Sequence, residues 1–151
     1  MDRQELENRT KHFHIEIIQL CLLLPKNNVG FEIGKQLIRS AGSVAANYRA
    51  SKRAKSIADF IYKIEIVLEE SDESLYWLQI LQETVIVNDN RIYRLIREAH
   101  ELTAIFSATT KTNLTFDICH LTYHNFSSSS TTPSLLKIKY PSLSLLMPSF
   151  S

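Results

Sequence analysis

The sequence has little of anything that breaks a helix or braces a small secreted fold. In 151 residues it carries three glycines, four prolines and two cysteines. Pro133, Pro141 and Pro148 fall near the end, so Pro25 stands alone in the rest of the chain. A proline-free stretch from Lys26 to Thr132 reads as helical. Cys21 and Cys119 are too few for a disulfide framework. No apolar run approaches the roughly 18 residues that a membrane-spanning helix needs. The run from Leu20 to Leu24 is closed by Pro25, and the polar start, Met1 to Glu5, leads into no signal-peptide core. No membrane contact is expected, and the cytoplasm is the expected compartment. A formal net charge of +1 does not mark a nucleic-acid binder by itself.

What is present is periodicity. With 44% hydrophobic and 22% charged residues, the chain has an ordinary globular balance. Leu6, Phe13, Ile17, Leu20 and Leu24 step as one buried stripe of a helix over about 3–24. Asn27, Asn28 and Gly30 read as the following loop. Ile33, Leu37, Ser40, Val44 and Tyr48 mark a second helix over about 31–52, whose small residues suggest close helix approach. Gly42 costs that helix about 1 kcal/mol relative to alanine, so it calls for a packing reason. Ser56 is an N-cap for a third helix that ends near Thr84, with Asp59 placed to reciprocate. A fourth helix, over about 90–111, carries Ile92, Leu95, Ala99, Leu102 and Phe106 inward. The predicted architecture is all-α: an antiparallel up-and-down four-helix bundle over 3–112, followed by a poorly ordered, irregular Ser/Pro-rich tail over 113–151.

The surface of that bundle is charged unevenly. Lys35, Arg39, Arg49, Lys52, Arg53 and Lys55 lie on or beside the outer side of helix 2, with no acid between Glu32 and Asp59. Gly42 and Ala46 leave the middle of this stripe bare. From Asp59 to Glu83, helix 3 carries seven acids against only Lys63. Tyr62, Ile66, Trp77 and Ile80 lie opposite its core stripe, among Glu69 and Glu73, and are expected to be exposed in a monomer. Apolar side chains rimmed by charge mark a contact surface, so these six residues form the candidate oligomer interface. Three readings fit the basic stripe: a solvated face, a partner for the acidic face of another subunit, or a phosphate-binding surface. Tyr48 could stack on a base, although its wheel position places it in the core.

Catalytic chemistry is not visible. No glycine-rich phosphate loop, nucleophile elbow or zinc-protease helix occurs. His12 and His14 face different ways on one helix, and Cys119, His120 and His124 make only a loose cluster in the tail. No metal, no cofactor and no enzymatic activity are expected.

Gln36-Leu37-Ile38-Arg39-Ser40, Ser43-Val44-Ala45-Ala46-Asn47-Tyr48-Arg49, Asp59-Phe60-Ile61-Tyr62-Lys63, Tyr76-Trp77-Leu78 and Glu98-Ala99-His100-Glu101-Leu102 occur in that order. Together they resemble the bacterial four-helix-bundle family that includes the 23S ribosomal RNA intervening-sequence proteins. The resemblance spans about residues 5–112. It implies a cytoplasmic homo-oligomer, typically a pentameric ring, with RNA or a nucleoprotein enzyme such as a reverse transcriptase among the partners to test. The chain departs from the family pattern at Ala50, where glutamate is usual, and at Glu69, where lysine is common. A structural or adaptor assembly with protein partners only is the alternative that the resemblance leaves open.

Overall fold

The computed structural model describes residues 2–126, with side-chain environments through residue 112. Helix α1 spans Arg3–Cys21, α2 Asn28–Ser51, α3 Ile57–Thr84 and α4 Arg91–Phe126. Helix α2 packs on α1 and α3, α3 packs on α4, and α4 returns to α1. That order of neighbours, joined by short loops, is the antiparallel up-and-down four-helix bundle the periodicity predicts.

Local chemistry sets most of the helix ends. Asp2 accepts a hydrogen bond from the Glu5 amide at 2.7 Å, and the Glu5 carboxylate accepts one from the Asp2 amide at 3.2 Å. This capping box opens α1. Ser56 caps α3 by accepting from the Asp59 amide at 3.1 Å. Asp59 reciprocates one residue further back, accepting from the Lys55 amide at 3.0 Å and from Lys63 Nζ at 2.5 Å.

Three boundaries differ from the sequence expectation, each for a local reason. Helix α1 ends at Cys21 rather than 24, and Leu23 and Leu24 close tighter turns onto Leu20 and Cys21. Pro25 disfavours helical geometry in the residue before it. Helix α2 begins at Asn28 rather than 31, because the Asn27 side chain accepts from the Gly30 amide at 2.9 Å. Gly30 therefore belongs to the first turn of α2, where a Cβ would stand 2.1 Å from the Pro25 carbonyl oxygen. Helix α4 continues past the expected end near 111 to Phe126, since neither glycine nor proline occurs between Ser43 and Thr132. Residues 113–126, expected in the irregular tail, thus have a helical backbone; the remainder of that tail, 127–151, lies outside the described residues.

The core is the set of stripes read from the spacing. Phe13, Ile17, Leu37, Val44, Ile64, Leu78, Leu95, Leu102 and Phe106 are all buried. At about 1.5–3 kcal/mol for each large side chain removed from water, they dominate the stability of the bundle. Tyr48 belongs to this core. Its ring leans on Phe106 with centroids 5.6 Å apart, and its hydroxyl donates to the Arg3 carbonyl oxygen at 3.4 Å. Burial pushes the phenol pKa up to about 12. Between α2 and α3 the buried hydroxyls of Ser40 and Ser74 share a hydrogen bond of 2.8 Å, and Ser74 is also 2.8 Å from the Glu70 carbonyl oxygen. These small side chains meet where the two helices run close together, as the composition of helix 2 suggests.

Candidate nucleic-acid interface

Six cations of α2 and its following loop form the candidate site, and the bundle treats them in two ways. Arg39 reaches across to α3, with Nη1 at 3.0 and 3.1 Å from the two carboxylate oxygens of Glu70 and Nη2 on Glu73. The Arg39 hydrogen bond is the main cause holding the Glu73 carboxyl below its ordinary pKa. Lys52 reaches to α1, where it pairs with Glu7 and donates to Gln4 Oε1 at 3.1 Å. Arg49 stands 3.8 Å from the same Glu7 carboxylate but stays largely in solvent, with a 68% exposed side chain. Lys35, Arg53 and Lys55 are exposed, and none has an ion-pair partner among the described residues.

Half of the stripe is therefore tied to acids of its own chain. Glu7 is the residue the sequence reading missed, although its place beside the core residue Leu6 carries it to the α2 side of α1. Of the bare middle of the stripe, Ala46 is exposed and Gly42 is covered. Gly42 lies under the His14 ring, and a Cβ there would come within 3.1 Å of His14 Cε1. That close approach is the packing reason for a glycine inside α2.

The predicted acidic and aromatic face of α3 is likewise divided. Tyr62 is 62% exposed, and Glu69 is open to solvent. Ile66 is half-buried. Trp77 and Ile80 are not the free anchors expected; both are half-buried and pack against the core cluster. The Trp77 indole also donates to Glu73 Oε1 at 3.3 Å and sits edge-on to Tyr76, with ring centroids 5.1 Å apart. Trp77 lies on the outer side of α3, one turn from Glu73, whose carboxylate accepts from both Trp77 and Arg39 of α2. Tyr76, 53% exposed, takes its place on the outer face.

Among the described residues no group of three or more His, Cys, Asp or Glu side chains is placed to hold a metal ion. None of the described helices is long and apolar enough to cross a membrane. Cys119, His120 and His124 lie in the part of α4 whose side chains fall outside the described environments.

The family described as 23S rRNA-intervening sequence protein matches residues 3–108, which is most of the chain and takes in α1, α2, α3 and the first half of α4. The chain belongs to this family. A solved structure of a protein of unknown function, from the S23 ribosomal protein family of Bacteroides thetaiotaomicron VPI-5482, is similar with a TM-score of 0.66 and 29% sequence identity. The match covers 74% of this chain and 99% of that one. No curated protein matches the sequence. In this member of the 23S rRNA-intervening sequence family, Lys35 near the start of α2 and Arg53 and Lys55 beyond its end are exposed without an ion-pair partner among the described residues, and Arg49 keeps only a 3.8 Å contact to Glu7.

Proposed function

We propose that the chain is a non-catalytic, self-assembling bundle that binds nucleic acid through phosphate contacts from Lys35, Arg49, Arg53 and Lys55. The observation that carries this reading is the set of exposed cations on the outer side and end of α2, of which Lys35, Arg53 and Lys55 have no ion-pair partner among the described residues and Arg49 keeps only the 3.8 Å contact to Glu7, with no acid between Glu32 and Asp59. The family description names 23S rRNA, so RNA is the polyanion to test first. Copies joined in an assembly would present the cations repeatedly, and weak contacts would add through multivalency.

Arg39 and Lys52 support a second reading, an assembly with protein partners only, because their charge is already spent inside the chain. Salt-dependent RNA binding separates the two. For the full chain, log affinity for single-stranded RNA is expected to fall with log salt at about 0.7 per phosphate neutralised. Arg53→Ala with Lys55→Ala should lower that slope by one to two contacts' worth, with the assembly size unchanged. Absence of any salt-dependent RNA affinity in the wild type would leave the protein-only reading.

A further inference from the structure

Because the helices alternate in direction, the α1/α2 turn (22–27) and the α3/α4 turn (85–90) lie at the same end of the bundle. Within about one helical turn of that end, Leu22, Leu23, Val29 and Phe31 are exposed from the first hairpin, and Val85 and Tyr93 from the second. They are half of the large apolar side chains exposed among the described residues. Near the opposite end only Ile57 belongs to that set.

Val85 is out of keeping with its place. It closes α3 with φ 51° and ψ 28°, a left-handed conformation that glycine adopts freely and a β-branched residue rarely does. Its side chain is 69% exposed, so burial within the bundle does not offset the strain. Strain held under an exposed apolar side chain points to a contact outside the chain.

The charges at this end indicate what that contact is. Asp89 is tied to Arg91 at 2.8 Å, and Glu32 accepts from Gln36 at 3.0 Å. Lys26 in the first turn and Glu83 in the last turn of α3 are exposed, with no ion-pair partner among the described residues. An apolar surface with a free cation on one hairpin and a free acid on the other is complementary to itself. A two-fold axis across the end lays the first hairpin of one copy over the second hairpin of the other, bringing each Lys26 to the other copy's Glu83. The opposite end does not have this property. It carries unpaired Arg53 and Lys55, and α4 runs on past it to Phe126.

We infer that the bundle meets a second copy end to end, through the α1/α2 and α3/α4 turns of both. The contact is isologous, so it closes after one pairing: it doubles the particle and goes no further. Helices spaced about 10 Å apart give an end of roughly 400 Å² per copy, about half the usual share of a standard interface, so one pair of ends holds weakly. Bundles standing side by side in the assembly proposed above would act together and strengthen it, and to that extent the inference rests on that reading. The cations at the far end of α2 then face outward at both poles of the doubled particle.

Sedimentation equilibrium of the full chain from about 10 µM to 1 mM, a range in which weak contacts fill, tests this. Wild type is expected to pass from one particle to another of twice its mass, with nothing larger. Val29→Ser/Val85→Gly, altered only at exposed positions and with the strain at 85 relieved, should keep its helicity and the smaller particle but not double. Lys26→Glu and Glu83→Lys should each move doubling to at least tenfold higher concentration, and their combination should return it to the wild-type range. No doubling of wild type by 1 mM, doubling of Val29→Ser/Val85→Gly at wild-type concentrations, or a combined variant no better than either single one would each overturn the inference. The mass of the smaller particle reports on side-by-side assembly and the doubling on the end contact, so the two fail separately.

Discussion

The imidazole of His14 lies against the α-carbon of Gly42, close enough that a Cβ at 42 would stand 3.1 Å from its Cε1. Its Nε2 is buried without a hydrogen-bond partner among the described residues, and burial holds the ring below its ordinary pKa of 6.5. The neutral ring is therefore the form that suits the folded state. As pH falls, the unfolded chain takes up this proton first, so the contribution is intact above pH 6.5 and declines as pH drops toward the folded-state value. The melting temperature is expected to fall between about pH 7 and pH 5. In His14→Phe, which keeps a flat ring over Gly42, the decline should be shallower; parallel curves would show that His14 is not the cause.

Gly30 and Gly42 both sit inside α2, yet alanine should affect them differently. At Gly30 the added Cβ would meet the Pro25 carbonyl oxygen at 2.1 Å, a backbone atom that moves only with the loop. Gly30→Ala is expected to cost about 1–3 kcal/mol in urea unfolding, in spite of alanine's better helix propensity. At Gly42 the neighbour is a half-buried side chain that can give by a few tenths of an ångström. There the strain offsets a propensity gain of about 1 kcal/mol, and little net change is expected.

Arg39 and Arg53 looked equivalent as phosphate ligands, but their surroundings differ. Arg39→Ala removes an ion pair with two acids of α3 at a partly exposed site, and its cost in stability should stay below about 1 kcal/mol. Its effect on RNA affinity should be smaller than that of Arg53→Ala, which removes a cation with no competing carboxylate. Binding titrations of the two variants at one fixed salt concentration check the order.

Ser40 and Ser74 form one buried polar unit across α2 and α3. Either alanine substitution alone is expected to cost about 1 kcal/mol, since a hydrogen bond is lost while a buried hydroxyl remains. The double substitution should cost less than the sum, because it removes both hydroxyls. Additive costs in a double-mutant cycle would show that the two do not act together.

The core was readable because burial repeats with the helical period, and Tyr48 and the ends of α3 follow from residues within one or two turns. Trp77 shows where that reading stops. Its wheel angle places it on the outer side of α3, yet it packs against the core cluster and is tied to Glu73, whose other partner is Arg39 of α2. Gly42 posed the same difficulty, since only the register of α1 against α2 reveals that His14 covers it. The cations of α2 were visible as a local excess of charge. Which of them are already occupied depends on Glu7, Glu70 and Glu73, whose distances no spacing within α2 encodes. The exposed Ile15, Ile18 and Leu22 of α1 lie about 120–180° from its core stripe at 100° per residue, so spacing places them outside but carries no sign of what an apolar outer face is for.

Ion pairs between helices also carry information that the apolar core does not. An up-and-down bundle can wind from α1 to α4 in either rotational sense while keeping the same neighbours and the same buried stripes. On α1, Glu7 faces Lys52 and Arg49 of α2, while Arg9 and Glu16 face Glu98, Glu101 and Arg94 of α4. Winding the other way would exchange those neighbours, setting Glu7 toward Glu98 and Glu101, and Arg9 toward Arg49 and Lys52. Single pairs at such partly exposed sites contribute little to stability. Together they turn attraction into repulsion in the mirror arrangement, so the charges on α1 act in the same direction as the Gly42–His14 and Ser40–Ser74 contacts, which that arrangement would also break.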